Sequence, residues 1–349
     1  MVNLLVDSFK NPVDPDKSIL IRASELPSLR ECPRKWYFQS PYGLNIEPLR
    51  KDKKLRFGSC WHDALEKYYQ TGSIEEAKGQ FIIAVDEELE RLVENLGPEI
   101  YEEERDGLEK DIELGKTLLD LYGEKSEELD PPDSSLEVIA TEHRFLIPIG
   151  NTDGENFDSI TVYLAGKLDG IVRDQNGGIW GMEHKSMSTS ADVTAPENLV
   201  LDLQTTIQIM LLNIYYHNKM GGSENVMGAL YNLARKQKPG PRVKKEIFGR
   251  HRIKRTAKEL AILHRMILHE DVEMIKRWTN TLPMRIPYNP QLFGRCSWGC
   301  SYKDICESLI RGEDASYLVK TNYKKRDKDI YEVLKEEMQG QNELWEVSC

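Results

Sequence analysis

The stretch from Tyr163 to Lys185 (YLAGKLDGIVRDQNGGIWGMEHK) constrains the fold of this chain more than any other. Two runs of strand-like composition, Thr161–Arg173 and Gly178–Lys185, flank the segment Asp174–Gly178, whose residues tolerate positive φ. Strand-forming runs on both sides of such a segment are typical of two antiparallel strands joined by a tight turn. We therefore predict a β-hairpin here.

Charged side chains on this hairpin are placed by the two-residue period of a strand. Glu183 and Lys185 share one face of the second strand, whereas Met182 and His184 share the other. Asp169, on the first strand, can lie opposite Glu183 and Lys185. Two carboxylates and a lysine in this arrangement can hold a divalent metal and activate a water beside a phosphodiester. A surface hairpin also carries charges, so the pattern alone leaves that simpler interpretation open.

The composition is that of an ordinary globular protein, with 40% hydrophobic and 30% charged residues among 349. A chain of this length can form one large domain or two small ones. No apolar run approaches the roughly 20 residues of a membrane span, and the N-terminus lacks the features of a signal peptide, so we expect an intracellular protein. The net charge of -11 argues against a protein that coats nucleic acid over its whole surface, yet it allows a local basic groove.

Three of the six cysteines, Cys296, Cys300 and Cys306, lie within 11 positions, and Cys32 lies far upstream. In a reducing compartment this clustering indicates a metal site rather than disulfides. Four thiolates suit either zinc or an iron-sulfur cluster, and the spacing alone does not choose between them. Either centre would tie the N-terminal helix to the cysteine segment at 284–311.

Two N-terminal helices are predicted from capping and periodicity. Ser24 is a suitable N-cap for the first, which would run through Cys32 and aim its thiol inward. The second, Phe57–Gln70, has an apolar face that includes Trp61 and a neighbouring face that includes His62. The apolar face predicts a core contact, whereas the face of His62 is equally compatible with a solvated surface.

Two segments stand out by their charge. Residues 71–133 are rich in Glu, Asp, Lys and Leu, which predicts an acidic insertion of two or three exposed helices. Residues 235–255 contain ten lysines and arginines and one acid, and their prolines and glycines predict a loop or hairpin. A solvated basic loop is common, but this charge in an acidic chain favours contact with a phosphate backbone. The residues predicted to bind DNA are Arg235, Lys236, Arg242, Lys244, Lys245, Arg250 and Arg252.

Strand and helix patterns alternate around the hairpin. Leu136–Pro148 is predicted as a strand that carries Glu142, and a helix after residue 198 carries Gln204 beside a buried stripe. Val226–Ala234 is predicted as a further strand. This alternation favours an α/β core with a mixed sheet.

Taken in order, these motifs resemble a known family, the RecB-type PD-(D/E)XK nucleases. The resemblance covers residues 20–310. Within this family, the sequence resembles more specifically the iron-sulfur branch, which includes the CRISPR-adaptation exonucleases, the AddB nuclease domain and related bacteriophage exonucleases. The matching motifs are Leu29–Tyr37 (LRECPRKWY), the helix with Gly58 and His62, Glu142, Leu168–Gly170 (LDG), Glu183–Lys185 (EHK), the glutamine helix and the cysteine segment.

The resemblance implies a restriction-endonuclease-like α/β core with a mixed central sheet. Residues 1–311 would form a single nuclease domain, interrupted by the helical insertion at 71–133, and 312–349 would form a charged tail. Cys32, together with the three cysteines of the segment at 284–311, would hold a 4Fe-4S cluster. This cluster would be a structural clasp near the DNA entrance that joins the N- and C-terminal parts.

The resemblance also implies the metal ligands. Asp169 and Glu183 would bind Mg²⁺ or Mn²⁺, with His62 and the main-chain carbonyl of His184 as further ligands. Glu142 would hold a second metal or orient the first set of ligands.

Two further residues receive catalytic roles from the resemblance. Lys185 would position or deprotonate the attacking water and stabilise the charge of the phosphorane-like transition state. The family's helical motif is a glutamine followed four residues later by tyrosine. Here Gln204 is followed by Gln208, and no tyrosine stands at the expected place. We assign the glutamine role to Gln204.

The resemblance implies a metal-dependent DNA exonuclease for recombination, repair or replication, in the cytoplasm of a bacterial or bacteriophage-infected cell. Its partners would be single-stranded DNA or DNA ends, with a helicase or recombination protein acting in trans. One alternative is a DNA-binding or assembly subunit with a nuclease fold and little activity. A second is a zinc-stapled structural or regulatory protein.

Overall fold

The computed structural model describes residues 18–50, 53–152, 160–188, 193–194, 199–219, 225–241, 243, 245–279, 281–290, 296 and 299–326. Its strands are β1 (Ser18–Arg22), β2 (Ile46–Pro48), β3 (Leu136–Thr152), β4 (Ile160–Asp174), β5 (Ile179–Met187), β6 (Val226–Arg235), β7 (Phe248–Ile253) and β8 (Tyr323–Lys325). Its α-helices are α1 (Leu26–Glu31), α2 (Pro33–Gln39), α3 (Lys53–Thr71), α4 (Ile74–Leu96), α5 (Ile100–Lys125), α6 (Leu203–Lys219), α7 (Ala257–Met266), α8 (Val272–Trp278), α9 (Lys303–Arg311) and α10 (Ser316–Asn322). None of the helices in these ranges has the length and apolar composition that crossing a membrane requires.

The chain folds into two compact units. We call the first the cysteine unit, which comprises the described residues of Met1–Leu49, Arg144–Lys167 and Thr256–Cys349. We call the second the hairpin unit, which comprises those of Arg50–His143 and Leu168–Arg255. The prediction of one nuclease domain over 1–311 stays a prediction.

The hairpin unit contains a mixed sheet, as the alternating pattern predicted. The second half of β4 pairs antiparallel with β5, β5 pairs parallel with β6, and β6 pairs antiparallel with β7. The predicted hairpin is β4–β5. Asp174 Oδ1 accepts hydrogen bonds from the main-chain N–H groups of Asn176 and Gly178, and Gly177 adopts a φ of 80°. The aspartate thus stabilises the turn, and the glycine supplies the positive φ.

Two apolar clusters hold this sheet in place. Trp180 and Met182 of β5 pack with Val172 and Leu230. A larger cluster joins α3, α4 and α5 through aromatic side chains, including Trp61. The first six residues of β5 are buried, because β5 lies between β4 and β6 and its faces are covered.

The segment at 71–133, predicted as an acidic insertion, contains the two helices α4 and α5, and its being an insertion stays a prediction. Ser73 caps α4 by accepting a hydrogen bond from the main-chain N–H of Glu76 at 3.3 Å. The two helices approach closely at Gly115, where a Cβ atom would lie 2.3 Å from the ring of Phe81. The exposed faces carry acids such as Glu102 and Glu109, whereas Glu104 of α5 is fully buried and pairs with Arg56. The apolar faces complete the core of the hairpin unit.

In the cysteine unit, β1 pairs parallel with the first half of β4, and β2 pairs antiparallel with β8. The prediction of one helix from Ser24 through Cys32 is wrong. The helix begins one residue later, after Glu25, and ends at Cys32, whose extended backbone (φ -154°, ψ 98°) separates α1 from α2. Pro33 explains the break, because proline disfavours a helical conformation in the preceding residue and starts the next helix well.

Candidate active site

Asp169 and Glu183 lie across from each other on β4 and β5. Gly170 pairs with Met182 in the ladder, so the preceding Asp169 lies beside Glu183. Both side chains are buried, with 7% and 3% of their surfaces exposed. The main-chain N–H of His184 donates to Asp169 Oδ2 at 2.7 Å. The hairpin thus brings two carboxylates together inside the protein.

Helix α3 adds His62 to this pair. His62 Nδ1 lies 3.1 Å from Asp169 Oδ1, while Trp61 anchors the neighbouring face of the helix in the core. Burial lowers the pKa of His62, but its hydrogen bond and charge interaction with Asp169 outweigh burial, so this pKa is raised. Burial raises the pKa of Asp169, yet the hydrogen bond from His62 and nearby positive charge bring it down to about 2. These opposite pKa shifts favour a protonated His62 beside an ionised Asp169.

Glu183 is held by three donors from two elements. Lys185 Nζ and Gln204 Nε2 donate to Oε1, the latter at 3.1 Å, and Gln208 Nε2 donates to Oε2 at 2.5 Å. Burial and the charge of Asp169 raise the pKa of Glu183, against the opposing effect of Lys185. Burial lowers the pKa of Lys185, but the charge of Glu183 outweighs burial, so this pKa is raised.

Gln208 is a site residue that the sequence prediction missed, because that prediction assigned the glutamine role to Gln204 alone. Residues four apart lie on one face of a helix, so both glutamines of α6 reach Glu183. Gln208 is the more deeply placed of the two, with 2% of its surface exposed. The i,i+4 spacing was the signal that could have identified it.

His184 lies between the two charged residues of β5 but points away from them. Its ring is buried, stacks on Tyr69 at 5.4 Å between ring centroids, and places Nδ1 3.2 Å from Asn232 Nδ2. Burial lowers the pKa of His184 to about 3, so the ring is neutral. Its main-chain carbonyl remains a predicted metal ligand.

Glu142 lies on β3, which pairs with β4. A Cβ atom on Gly170 would lie 3.5 Å from the carbonyl oxygen of Ala140, so β3 runs beside the part of β4 that carries Asp169. Glu142 has a φ of 49°, a left-handed conformation that is uncommon for residues other than glycine and is found at functional sites. Its role as a second metal ligand stays a prediction.

The buried carboxylates are neutralised by protein cations. Asp169 pairs with His62, and Glu183 pairs with Lys185. Within the described ranges, no three His, Cys, Asp or Glu side chains are grouped closely enough around one point to hold a metal ion. The arrangement supplies hard oxygen donors, one imidazole and one ammonium group within a small volume, which is suited to phosphate chemistry.

Two of the residues predicted to bind DNA are inside the protein, and this part of the prediction is wrong. Arg235 is 2% exposed and donates to the main-chain carbonyl of Lys245. The side chain of Arg250 is fully buried and pairs with Asp133. Arg235 and Arg250 lie at buried positions of β6 and β7, which a count of charges does not reveal.

The other predicted DNA-binding residues have different outcomes. Lys245 and Arg252 are exposed, and Lys236 is half-buried with its ammonium group 5.6 Å from the ring centroid of Phe57. Arg242 and Lys244 lie outside the described residues.

The four predicted cluster ligands lie around one cavity of the cysteine unit. Cys32, Cys296, Cys300 and Cys306 line one cavity of about 300 Å³. Burial raises the pKa of Cys300 and of Cys306. Arg34 Nη1 donates to the sulfur of Cys306 at 3.6 Å. Four thiols that span 275 positions of the chain thus line the same cavity, and their role as cluster ligands stays a prediction.

Comparison with protein-family models matches residues 22–307 to the PD-(D/E)XK nuclease superfamily. The comparison with curated proteins gives no match. Among solved structures, one titled "Crystal structure of SSO0001" aligns with 88% of this chain and 94% of its own, with 14% sequence identity and a TM-score of 0.33. That similarity is too low to support any statement about the site.

Proposed function

The chain belongs to the PD-(D/E)XK nuclease superfamily, and from this we propose that it is a metal-dependent DNA exonuclease acting on single strands or ends. The observation that carries the proposal is the pair of buried carboxylates, Asp169 and Glu183, held beside Lys185. Burying a charged group costs free energy unless the group is paired or binds a metal, and such groups cluster at functional sites. A nuclease site would explain why these two carboxylates and this lysine lie side by side.

The chemistry of the donor groups at this site suits a divalent cation. Two buried carboxylates that face each other repel, and the raised pKa of Glu183, caused by burial and by Asp169, records that repulsion. Their oxygens, with His62 and the main-chain carbonyl of His184, would hold Mg²⁺ or Mn²⁺, and Glu142 would serve a second ion or orient these ligands. A bound ion would supply Lewis-acid polarisation of the phosphate and would lower the pKa of a water.

Lys185 acts at the reacting phosphate. Its ammonium group bonds to Glu183 and lies 3.4 Å from Gln204 Oε1, so the side chain is aimed along the carboxylates. In this position the ammonium group orients the attacking water and stabilises the charge that builds on the phosphoryl oxygens.

The two glutamines of α6 hold the carboxylate of Glu183 in one orientation. Gln204 binds Oε1 and Gln208 binds Oε2, so rotation of the carboxylate breaks at least one hydrogen bond. A fixed carboxylate presents its remaining lone pairs in one direction. Such positioning lowers the cost of assembling the reactive geometry.

Substrate binding is assigned to the basic residues that reach the surface. Lys236, Lys245 and Arg252 would neutralise backbone phosphates, which binds DNA without reading its sequence. An enzyme that degrades DNA from an end needs this kind of contact. The proposed biological setting is recombination, repair or replication, where ends and single strands arise.

We propose that the four cysteines that line this cavity bind a 4Fe-4S cluster. Arg34 is 4% exposed, donates to the main-chain carbonyls of Ile286 and Met284 and to the sulfur of Cys306, and lies 4.5 Å from the ring centroid of Tyr288. Across the described part of the chain, no carboxylate pairs with it. A buried cation needs an anionic counterpart, which four thiolates around a cluster would supply.

The cluster would act as a clasp within the cysteine unit. Cys32 separates α1 from α2, whereas Cys306 lies on α9, so shared ligation would join segments from opposite ends of the chain. We assign the cluster a structural role.

The proposed activity is tested on end-labelled single-stranded and double-stranded DNA, with a circular single strand as control. An exonuclease releases short labelled products from linear DNA in Mg²⁺ or Mn²⁺ and leaves the circle intact. Cleavage of the circle would instead show endonuclease action. If the protein binds DNA but degrades no substrate with either metal, the proposal fails.

A further inference from the structure

Arg250 connects β7 to several elements inside the hairpin unit. Its side chain is fully buried, and each nitrogen of its guanidinium group donates to at least one acceptor. The acceptors are Asn232 Oδ1 (2.6 Å), the carbonyl of Pro131, the hydroxyls of Tyr69 and Tyr122 (3.1 Å each) and Asp133 Oδ1 (2.7 Å). A planar guanidinium with an acceptor at each nitrogen favours one orientation, because rotation would leave buried acceptors unpaired.

This arrangement fixes the side-chain amide of Asn232. Arg250 Nε can only donate, so the atom that it contacts must be the amide oxygen. The amide nitrogen then faces the opposite way, toward Tyr69 Oη at 3.3 Å and His184 Nδ1 at 3.2 Å. The orientation of Asn232 thus follows from the hydrogen-bond network.

The amide of Asn232 in turn fixes the ring of His184. An amide nitrogen donates, so His184 Nδ1 must accept, and the ring proton of the neutral imidazole lies on Nε2. Tyr69 stacks on one face of the ring, with 19° between the planes. The ring of His62 meets it edge-on at 6.2 Å. The His184 ring therefore has one tautomer and one position.

His184 transmits this order to the carboxylate of Asp169. Its main-chain N–H donates to Asp169 Oδ2 at 2.7 Å, and Asp169 Oδ1 contacts His62. The ring and this N–H belong to one residue, so the contacts that hold the ring also restrain the main chain between Glu183 and Lys185. The ligand positions thus depend on side chains that touch neither a metal nor a substrate.

We propose that Arg250 and Asn232 are positioning residues of the active site, which set the ring of His184 and through it the carboxylate of Asp169. This inference rests on the proposed nuclease function. Partners that orient metal-binding groups from behind them typically contribute 10- to 100-fold in metal affinity or activity. The consequence is specific: losing either residue impairs metal binding and turnover, whereas DNA affinity is retained.

The sharpest variant is Asn232→Asp. It keeps an oxygen as the acceptor for Arg250 but removes the donor to His184. The buried ion pair between Arg250 and Asp133 is therefore preserved. We expect Mn²⁺ affinity, measured by electron paramagnetic resonance, and kcat on end-labelled DNA to fall by about 10- to 100-fold with KM unchanged. Arg250→Lys, which retains the charge but not the planar fork, should change them in the same direction.

The control is Arg173→Met, which removes an arginine of β4 whose partner is the exposed Glu137. It should bind Mn²⁺ as the wild type does. A second readout needs no variant, because long-range ¹H–¹⁵N NMR of histidine-labelled protein distinguishes the tautomers. We expect an unprotonated Nδ1 on His184 in the wild type, and a protonated Nδ1 in Asn232→Asp.

Three results would overturn the inference. The first is a protonated Nδ1 on His184 in the wild type. The second is wild-type Mn²⁺ affinity and kcat in folded Asn232→Asp and Arg250→Lys. The third is a loss confined to DNA affinity, which would mean that Arg250 reaches the substrate. A wild type that neither binds Mn²⁺ nor cleaves DNA would defeat the proposed function itself, which separates that failure from these.

Discussion

Replacing Gln208 with leucine tests how the buried carboxylate is held. Gln208 is 2% exposed and is the donor to Glu183 Oε2, whereas Gln204 is half-buried and shares Oε1 with Lys185. A hydrogen bond to a charged group contributes about 1.5–3 kcal/mol. Gln208→Leu should therefore lower the free energy of unfolding by this amount. Gln204→Leu should lower it by about 0.5–1.5 kcal/mol, because water and Lys185 can replace the lost donor.

The assay is urea unfolding followed by far-UV circular dichroism in EDTA, so that metal binding does not add to stability. Gln70→Leu is the matched control, because Gln70 lies on the surface of α3 and bonds to Glu66 and Thr141. It should stay within about 0.5 kcal/mol of the wild type.

A double-mutant cycle with Glu183→Leu assigns the effect to its cause. When Glu183 is leucine, Gln208→Leu should cost far less, because the charged acceptor is gone. Equal costs for all three glutamine variants would refute the reasoning. So would a Gln208→Leu cost that is unchanged in the Glu183→Leu background.

Three further predictions concern other parts of the chain. The Arg34→Met variant, which lacks the buried cation beside the cysteines, should contain no iron and show no visible absorbance. The Lys303→Met variant, which lacks an exposed cation at the same cavity, should keep both, as iron analysis and absorbance spectra of the two proteins would show. Lys245→Ala and Arg252→Ala should each weaken DNA binding and reduce the slope of log affinity against log salt by about 1, measured by fluorescence anisotropy. Burial raises the pKa of Cys60 to about 12, so iodoacetamide at pH 8 should modify this thiol only after unfolding, as peptide mass spectrometry would show.

The hairpin could be predicted from sequence because its determinants are local. The turn at Asp174–Gly178 uses residues whose backbone and side-chain chemistry favour it, and the two-residue period of a strand placed Glu183 and Lys185 together. The break at Cys32 was also readable, since Pro33 disfavours a helical residue before it. That signal was outweighed by the apolar periodicity on both sides.

Long-range placement could not be predicted from the residues alone. His62 and Asp169 are more than a hundred positions apart, and only the order of motifs in a known family connected them. Arg250 shows the opposite failure. In the sequence Arg250 is one of ten basic residues in this segment. Its strand partner Asn232 lies on a buried strand, so the guanidinium group of Arg250 forms its hydrogen bonds inside the protein. Burial is set by the packing of the whole sheet, which a local count of charges does not contain.

The central claim is that Asp169, Glu183 and Lys185 form a nuclease site, and one measurement tests it most directly. Release of label from end-labelled DNA is compared for the wild type, Lys185→Ala and the control Lys78→Ala, whose lysine lies on α4 and pairs with Glu75 and Asp120. We predict release by the wild type and the control in Mg²⁺ or Mn²⁺, none in EDTA, and a rate lower by about 10²- to 10⁴-fold for folded Lys185→Ala. Release by Lys185→Ala at the wild-type rate, or none by the wild type with either metal, would contradict the account.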